Sequence, residues 1–362
     1  MISRLKKLPV SVIITVILLL LCVGYVELVH SEFRSRVTHH CLNPRQGIYD
    51  CYSMYYGNLA KNKGTKKSLA ELNVNKVGDM SLSANCHQSM HAIGRNAFQE
   101  YGSIAQAYVH ADYSCWGGYM HGVVEASMSR KKMSDFSAED LRTMCDEVKG
   151  SIETSFSHFS CIHGIGHALM YISHNDLPNA LVRCEDLVDG WEIRQCVNGS
   201  FMENTLADED HPSKFSPKND PHFPCSAVPE KYADVCYQVQ SKYILDYLGN
   251  FKEAFEFCKN LPHTKEQNLC AQGLGAAVSV YNKYNILTIA QICNAAPVPL
   301  DNECLYGALT NLEGMSRSVK LGNEVCQNLP QEKGGACLRT LDKAHADFPA
   351  ADKSSTSWNE NI

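Results

Sequence analysis

From Leu8 to Val26 the chain runs nineteen residues without a charge, preceded by Arg4, Lys6 and Lys7. At about 1.5 Å of rise per residue, a helix over this stretch matches the thickness of one bilayer core. Positive charge on its short N-terminal flank predicts that this end stays in the cytoplasm and the remainder is exported. The pattern therefore predicts a cytoplasmic N-terminus over 1–7, a transmembrane signal anchor over 8–29, and a main domain in the periplasm, extracellular space or a secretory lumen. Two other readings of the same stretch keep the export and lose the anchor. One is signal cleavage at the small-residue pattern of Val29 and Ser31; the other is lipid attachment at Cys22.

Beyond this run, polar loops separate helical segments at a regular period. "FEFCKNLPHTKEQNLCAQGLGAAVSVY" and "NEVCQNLPQEKGGACLRTLDKAH" each read as a helix ending at a cysteine, a Pro-containing loop, and a helix opening with the next cysteine. The cysteines pair accordingly: Cys184 with Cys196, Cys225 with Cys236, Cys258 with Cys270, Cys293 with Cys304, and Cys326 with Cys337. Intervals within a pair are 12, 11, 12, 11 and 11 residues, and successive pairs begin 41, 33, 35 and 33 residues apart. A period near 34 is one helical hairpin. Cys145 with Cys161 and Cys41 with Cys51 fit the same scheme, and Cys86 and Cys115 are left for each other. Gly118, Gly164, Gly199, Gly273 and Gly307 each fall three residues after the second cysteine of a pair, which marks a place where two helices touch closely.

Seventeen cysteines are present, and the sixteen outside the apolar run make an even set. No CxxC occurs, so disulfides in an oxidising compartment are favoured over zinc-thiolate sites. The predicted fold class is an all-α solenoid of disulfide-clipped helical hairpins behind one N-terminal transmembrane helix. Residues 30–140 form an N-terminal helical region, 141–347 the clipped repeats, and 348–362 a polar, disordered tail. The arrangement from Cys184 to Cys337 resembles the Sel1-like and tetratricopeptide class of α/α repeats, especially exported cysteine-rich Sel1-like proteins with one disulfide per repeat. That resemblance implies an architecture and no activity.

Charge narrows the partners. A formal net charge of −6 and a sequence pI near 6.2 give no basic footprint for phosphate backbones, which excludes nucleic acid. Phosphate-binding glycine loops and the GxSxG nucleophile elbow are absent as well.

The candidate chemistry lies in the histidines. "CIHGIGHALM" places His163 and His167 four residues apart, on one face of a helix; "CHQSMHAIGR" does the same with His87 and His91. "CWGGYMHGVVE" supplies His121 and Glu125, and "CVNGSFMEN" supplies Glu203. The repeats furnish an internal control. Six residues after the second cysteine stand His121 and His167, but Met202, Lys242, Ala276 and Thr310 in later repeats, so packing of the repeat does not demand histidine there. Helices stacked about 10 Å apart, each offering i, i+4 ligands, build a metal site. The predicted ligand set is His87, His91, His121, Glu125, His163, His167 and Glu203, for zinc, iron, nickel or copper, with Met90, Met120 and Met170 favouring copper. Non-covalent haem between two histidines fits the same residues; covalent c-type haem does not, since CxxCH is absent, and neither does the HExxH of zinc proteases. The longer 41-residue interval adds a loop whose Asp208, Asp210, His211, Asp220 and His222 can close over this stripe. Asn198-Gly199-Ser200 matches an N-glycosylation acceptor. The alternative function is a scaffold whose solenoid surface holds a protein or peptide partner without metal chemistry.

Overall fold

The computed structural model describes residues 41, 48–76, 79–149, 156–206, 213–216, 219–316 and 319–347. The apolar run from Leu8 to Val26, the loop residues Asp208, Asp210 and His211, and the 348–362 tail lie outside them. Among the described residues no helix is long and apolar enough to cross a membrane, and there is no strand.

Among the described residues nine helices form one row, each packed on the next. They are α1 (Ile48–Lys63), α3 (Met80–Tyr101), α5 (Gly118–Met128), α7 (Phe156–Ile172), α9 (Gly190–Thr205), α10 (Glu230–Leu248), α12 (Thr264–Tyr281), α14 (Leu300–Ser316) and α16 (Gln331–Asp347). The connections carry shorter helices: α2 (Thr65–Lys76), α4 (Ile104–Tyr108), α6 (Ala138–Thr143), α8 (Leu177–Cys184), α11 (Phe251–Lys259), α13 (Ile286–Ala295) and α15 (Val319–Gln327). Helices α2, α8, α11, α13 and α15 each pack on the two row helices that flank them. The result is a helical-hairpin repeat architecture of the Sel1-like and tetratricopeptide type.

Local chemistry repeats with the architecture. Asp176, Asn250 and Asn285 cap α8, α11 and α13 by accepting the backbone N–H of Asn179, Glu253 and Thr288. Just before them, the chain reverses through left-handed residues: His174 and Asn175, Gly249, and Lys283 with Tyr284. All eight expected disulfides are present, including Cys41–Cys51, Cys86–Cys115 and Cys145–Cys161. The later repeats carry Cys184–Cys196, Cys225–Cys236, Cys258–Cys270, Cys293–Cys304 and Cys326–Cys337. Closing loops of about a dozen residues, such clips contribute on the order of 3 kcal/mol each in the chain-entropy model.

The recurrent glycine faces the preceding helix of the row. A Cβ at Gly199 would lie 2.0 Å from the His163 carbonyl oxygen, and one at Gly307 would lie 1.9 Å from that of Gln272. Both distances are far inside van der Waals contact, and the obstacle is backbone. Gly307→Ala should therefore push α14 off α12 and lower stability by about 1–3 kcal/mol in denaturant unfolding, against the usual gain from replacing a helical glycine with alanine. Asn198-Gly199-Ser200 lies within α9, with Gly199 and Ser200 buried against α7. The tripeptide is thus not displayed on a loop as a glycan acceptor.

Candidate metal centre

Four consecutive helices of the row, α3, α5, α7 and α9, supply the site. His87 and His91 sit one turn apart on α3, His121 and Glu125 on α5, His163 and His167 on α7, and Glu203 near the end of α9. Close approach sets the register between the first two. A Cβ at Gly118 would lie 2.5 Å from the His87 carbonyl oxygen, and one at Gly122 would lie 2.1 Å from that of His91. Only glycine permits α5 to come so near, and that nearness delivers His121 to the α3 pair.

The imidazoles form one buried cluster. His91, His121, His163 and His167 are 0–2 % exposed, and Glu125 is 2 % exposed. Ring centroids of His87, His91, His121 and His167 are mutually 4.6–6.1 Å apart, with His163 4.8 Å from His121 and 5.0 Å from His167. One ligand atom each from His87, His91, His121 and His167 lies within 4.8 Å of the other three, and Glu125, His167 and Glu203 form a second such group. Six of the seven residues expected at the site fall in these two groups. His163 stands at their side.

Hydrogen bonds fix which nitrogens face inward. His87 Nδ1 is 2.8 Å from the Cys115 carbonyl oxygen, and a carbonyl only accepts, so Nδ1 carries the proton. His91 Nδ1 donates in the same way to Glu125 Oε1 at 2.6 Å, and Arg95 holds the other carboxylate oxygen at 2.6 Å. In the neutral rings both Nε2 atoms then present lone pairs, and they face each other at 3.0 Å. His167 repeats the arrangement: Nδ1 donates to Glu203 Oε2 at 2.8 Å, while Nε2 lies 3.1 Å from His163 Nε2. Among the described residues neither ring nitrogen of His121 has a hydrogen-bond partner, nor does His163 Nδ1.

Electrostatics favour the neutral form of three of these rings. Burial, and then the neighbouring imidazoles, hold His87, His121 and His163 well below the usual histidine range. Burial opposes the charge on Glu125, yet the His91 N–H and the Arg95 guanidinium outweigh it and hold the carboxyl below its ordinary value. Two carboxylates against one guanidinium leave the cluster short of positive charge. Imidazole N–H groups held by a carboxylate or carbonyl, with the second nitrogen turned inward, are the outer shell of a metal-histidine site.

Asp220 and His222 do not join the cluster. Asp220 accepts the His222 backbone N–H, and the His222 ring meets Tyr237 at 3.2 Å and packs on Phe257. Met90, Met120 and Met170 are fully buried core residues. The sequence reading passed over Arg95 and the Cys115 carbonyl. Arg95 had a signal, since it lies one turn beyond His91 on the same face of α3. Comparison of the chain with protein-family models, curated proteins and solved structures finds no match.

Proposed function

We propose that the protein is an exported α/α-repeat protein whose first hairpins hold a transition-metal ion on His87, His91, His121 and His167. Glu125 and Glu203 orient two of these ligands, and His163 lies alongside. The observation that carries this reading is the His87 and His91 Nε2 atoms facing each other at 3.0 Å in a buried site, lone pair against lone pair when both rings are neutral. A cation between the rings relieves that repulsion. A single proton would relieve one such pair, whereas an ion bound by four rings also satisfies His121, which has no other partner. Four imidazoles complete a tetrahedral shell, so the centre is read as one that keeps its ion and leaves no open position for a substrate. Zinc, iron and copper all accept such donors. Rings packed 4.6–6.1 Å apart leave no slot for a porphyrin plane, which favours the bare ion over haem.

Eight disulfides support an oxidising, extracytoplasmic location, where thiolate ligands are scarce and imidazole is the natural substitute. The apolar run from Leu8 to Val26 is proposed as the membrane tether. Elemental analysis of the exported protein, purified without chelator and then titrated with zinc, iron and copper, should find roughly one ion per chain, as a single four-ligand centre requires. N-terminal sequencing of the same sample should find the start of the apolar run intact. Protein that binds none of the three ions would overturn the metal reading, and a mature terminus near Glu32 would remove the tether.

A further inference from the structure

The Cys86–Cys115 disulfide differs from the rest. It spans 29 residues where the others span 10–16, and it joins the second turn of α3 to the turn that opens α5, the next helix of the row. Its second cysteine begins a run of three left-handed residues, Cys115, Trp116 and Gly117, with φ of 54°, 64° and 69°. Non-glycine residues hold that conformation only where their surroundings impose it. Here the run aims the Cys115 carbonyl at His87 Nδ1, and His87 itself follows Cys86 in the chain.

The surroundings of the two sulfurs are unequal. Lys76 Nζ, at the end of α2, lies 3.9 Å from Cys115 Sγ and donates to Ser114 Oγ at 2.8 Å; Ser114 Oγ is itself 3.9 Å from the same sulfur. All sixteen paired cysteines are buried, Cys86 and Cys51 least so at 7 % and 6 % exposure, against 4 % for Cys115. A slightly less buried cysteine joined to one that faces an ammonium and a hydroxyl gives thiol exchange a direction. The attacking thiolate reaches the first, and the leaving thiolate forms beside the donors.

We propose that Cys86–Cys115 is a redox-active disulfide that exchanges with dithiols, and that its opening releases the ion of the adjacent histidine centre. The second half rests on the metal reading above. A thiolate of the dithiol attacks Cys86 Sγ, the S–S bond breaks, and its electron pair leaves on Cys115 Sγ beside Lys76. The second thiol of the dithiol loses its proton and attacks the mixed disulfide at the reductant's own sulfur, which expels Cys86 as thiolate. The dithiol departs as a disulfide, oxidised by two electrons, and its two protons end on Cys86 and Cys115. With the crosslink gone, nothing covalent holds the left-handed turn, the carbonyl acceptor of His87 is freed, and one ligand of the ion is loosened. By linkage, a bound ion must resist the opening in equal measure.

The test uses the full chain incubated with zinc and stepped through increasing dithiothreitol, with free thiols alkylated and mapped while released zinc is read by a chelating dye. Cys86 and Cys115 should be the first thiols to appear, with zinc released in step. Lys76→Met should slow their appearance roughly tenfold by removing stabilisation of the leaving thiolate, and Lys76→Arg should restore it. Opening of Cys86–Cys115 no earlier than the other seven disulfides, or at an unchanged rate in Lys76→Met, overturns the exchange. Zinc that binds the oxidised protein and stays after opening overturns the coupling alone. Zinc that never binds overturns the coupling together with the metal reading, and the order of opening still judges the disulfide.

Discussion

Replacing His91 and His167 with glutamine should take the bound metal to background while leaving the helices folded. The pair is chosen because the two rings sit on different helices, α3 and α7, and their centroids are 5.0 Å apart. Each also has its Nδ1 engaged by a carboxylate, so its inward nitrogen is the one the ion would use. Glutamine is helix-compatible and its amide can still donate to Glu125 or Glu203, which preserves the outer bonds while deleting two donors. The thermodynamic signature is larger than the loss of contacts. An ion that binds only the folded state stabilises it by about 4 kcal/mol at a thousandfold excess over its dissociation constant. Wild-type protein should therefore gain thermal stability on zinc addition and the double variant should not. The gain should also be local. Hydrogen exchange should slow in α3, α5 and α7, which the ion would join, and remain unchanged in α12, α14 and α16. A zinc response that survives in the variant, or spreads evenly along the solenoid, would count against these ligands.

Much of this was readable before any coordinates, because repetition supplies its own control. The cysteine spacing placed seven of the eight crosslinks and left Cys86 and Cys115 for each other, and the glycine three residues beyond five of the second cysteines announced the close helix contacts later found at Gly199 and Gly307. Histidines that appear at one repeat position early in the chain and vanish later pointed to a role other than packing of the repeat. What stayed hidden needs the register between helices. An i, i+4 pattern shows which side chains share a face of one helix, but whether His163 or His121 completes the four-ring group depends on how α5 and α7 slide past each other. The close approach of Gly164 to Val124 and His121 decides that. The role of the Cys115 carbonyl was equally invisible, since it arises from a left-handed backbone at a residue with a side chain, which no propensity favours. For the loop histidine the error was one of proximity: an insertion near the stripe in sequence placed His222 against Tyr237 and Phe257 instead.

His121 offers the sharpest reversal of sign. It is 1 % exposed, and both of its ring nitrogens lack a hydrogen-bond partner. A buried polar group left unsatisfied costs about 1–3 kcal/mol, and this ring presents two such atoms without an ion. Leucine has a similar volume and no polar atoms. In metal-free protein, His121→Leu should therefore raise stability by about 2 kcal/mol or more, where most substitutions in a packed core lower it. In excess zinc the order should invert, because the variant loses a ligand and with it the linkage gain of about 4 kcal/mol estimated for the intact centre. Denaturant unfolding of both proteins, with and without zinc, gives the four numbers required. If His121 serves only to fill space among His87, His91, His163 and His167, leucine should destabilise both forms by the same amount and zinc should change nothing. Crossing of the two stability orders is the result that only a ligand role explains.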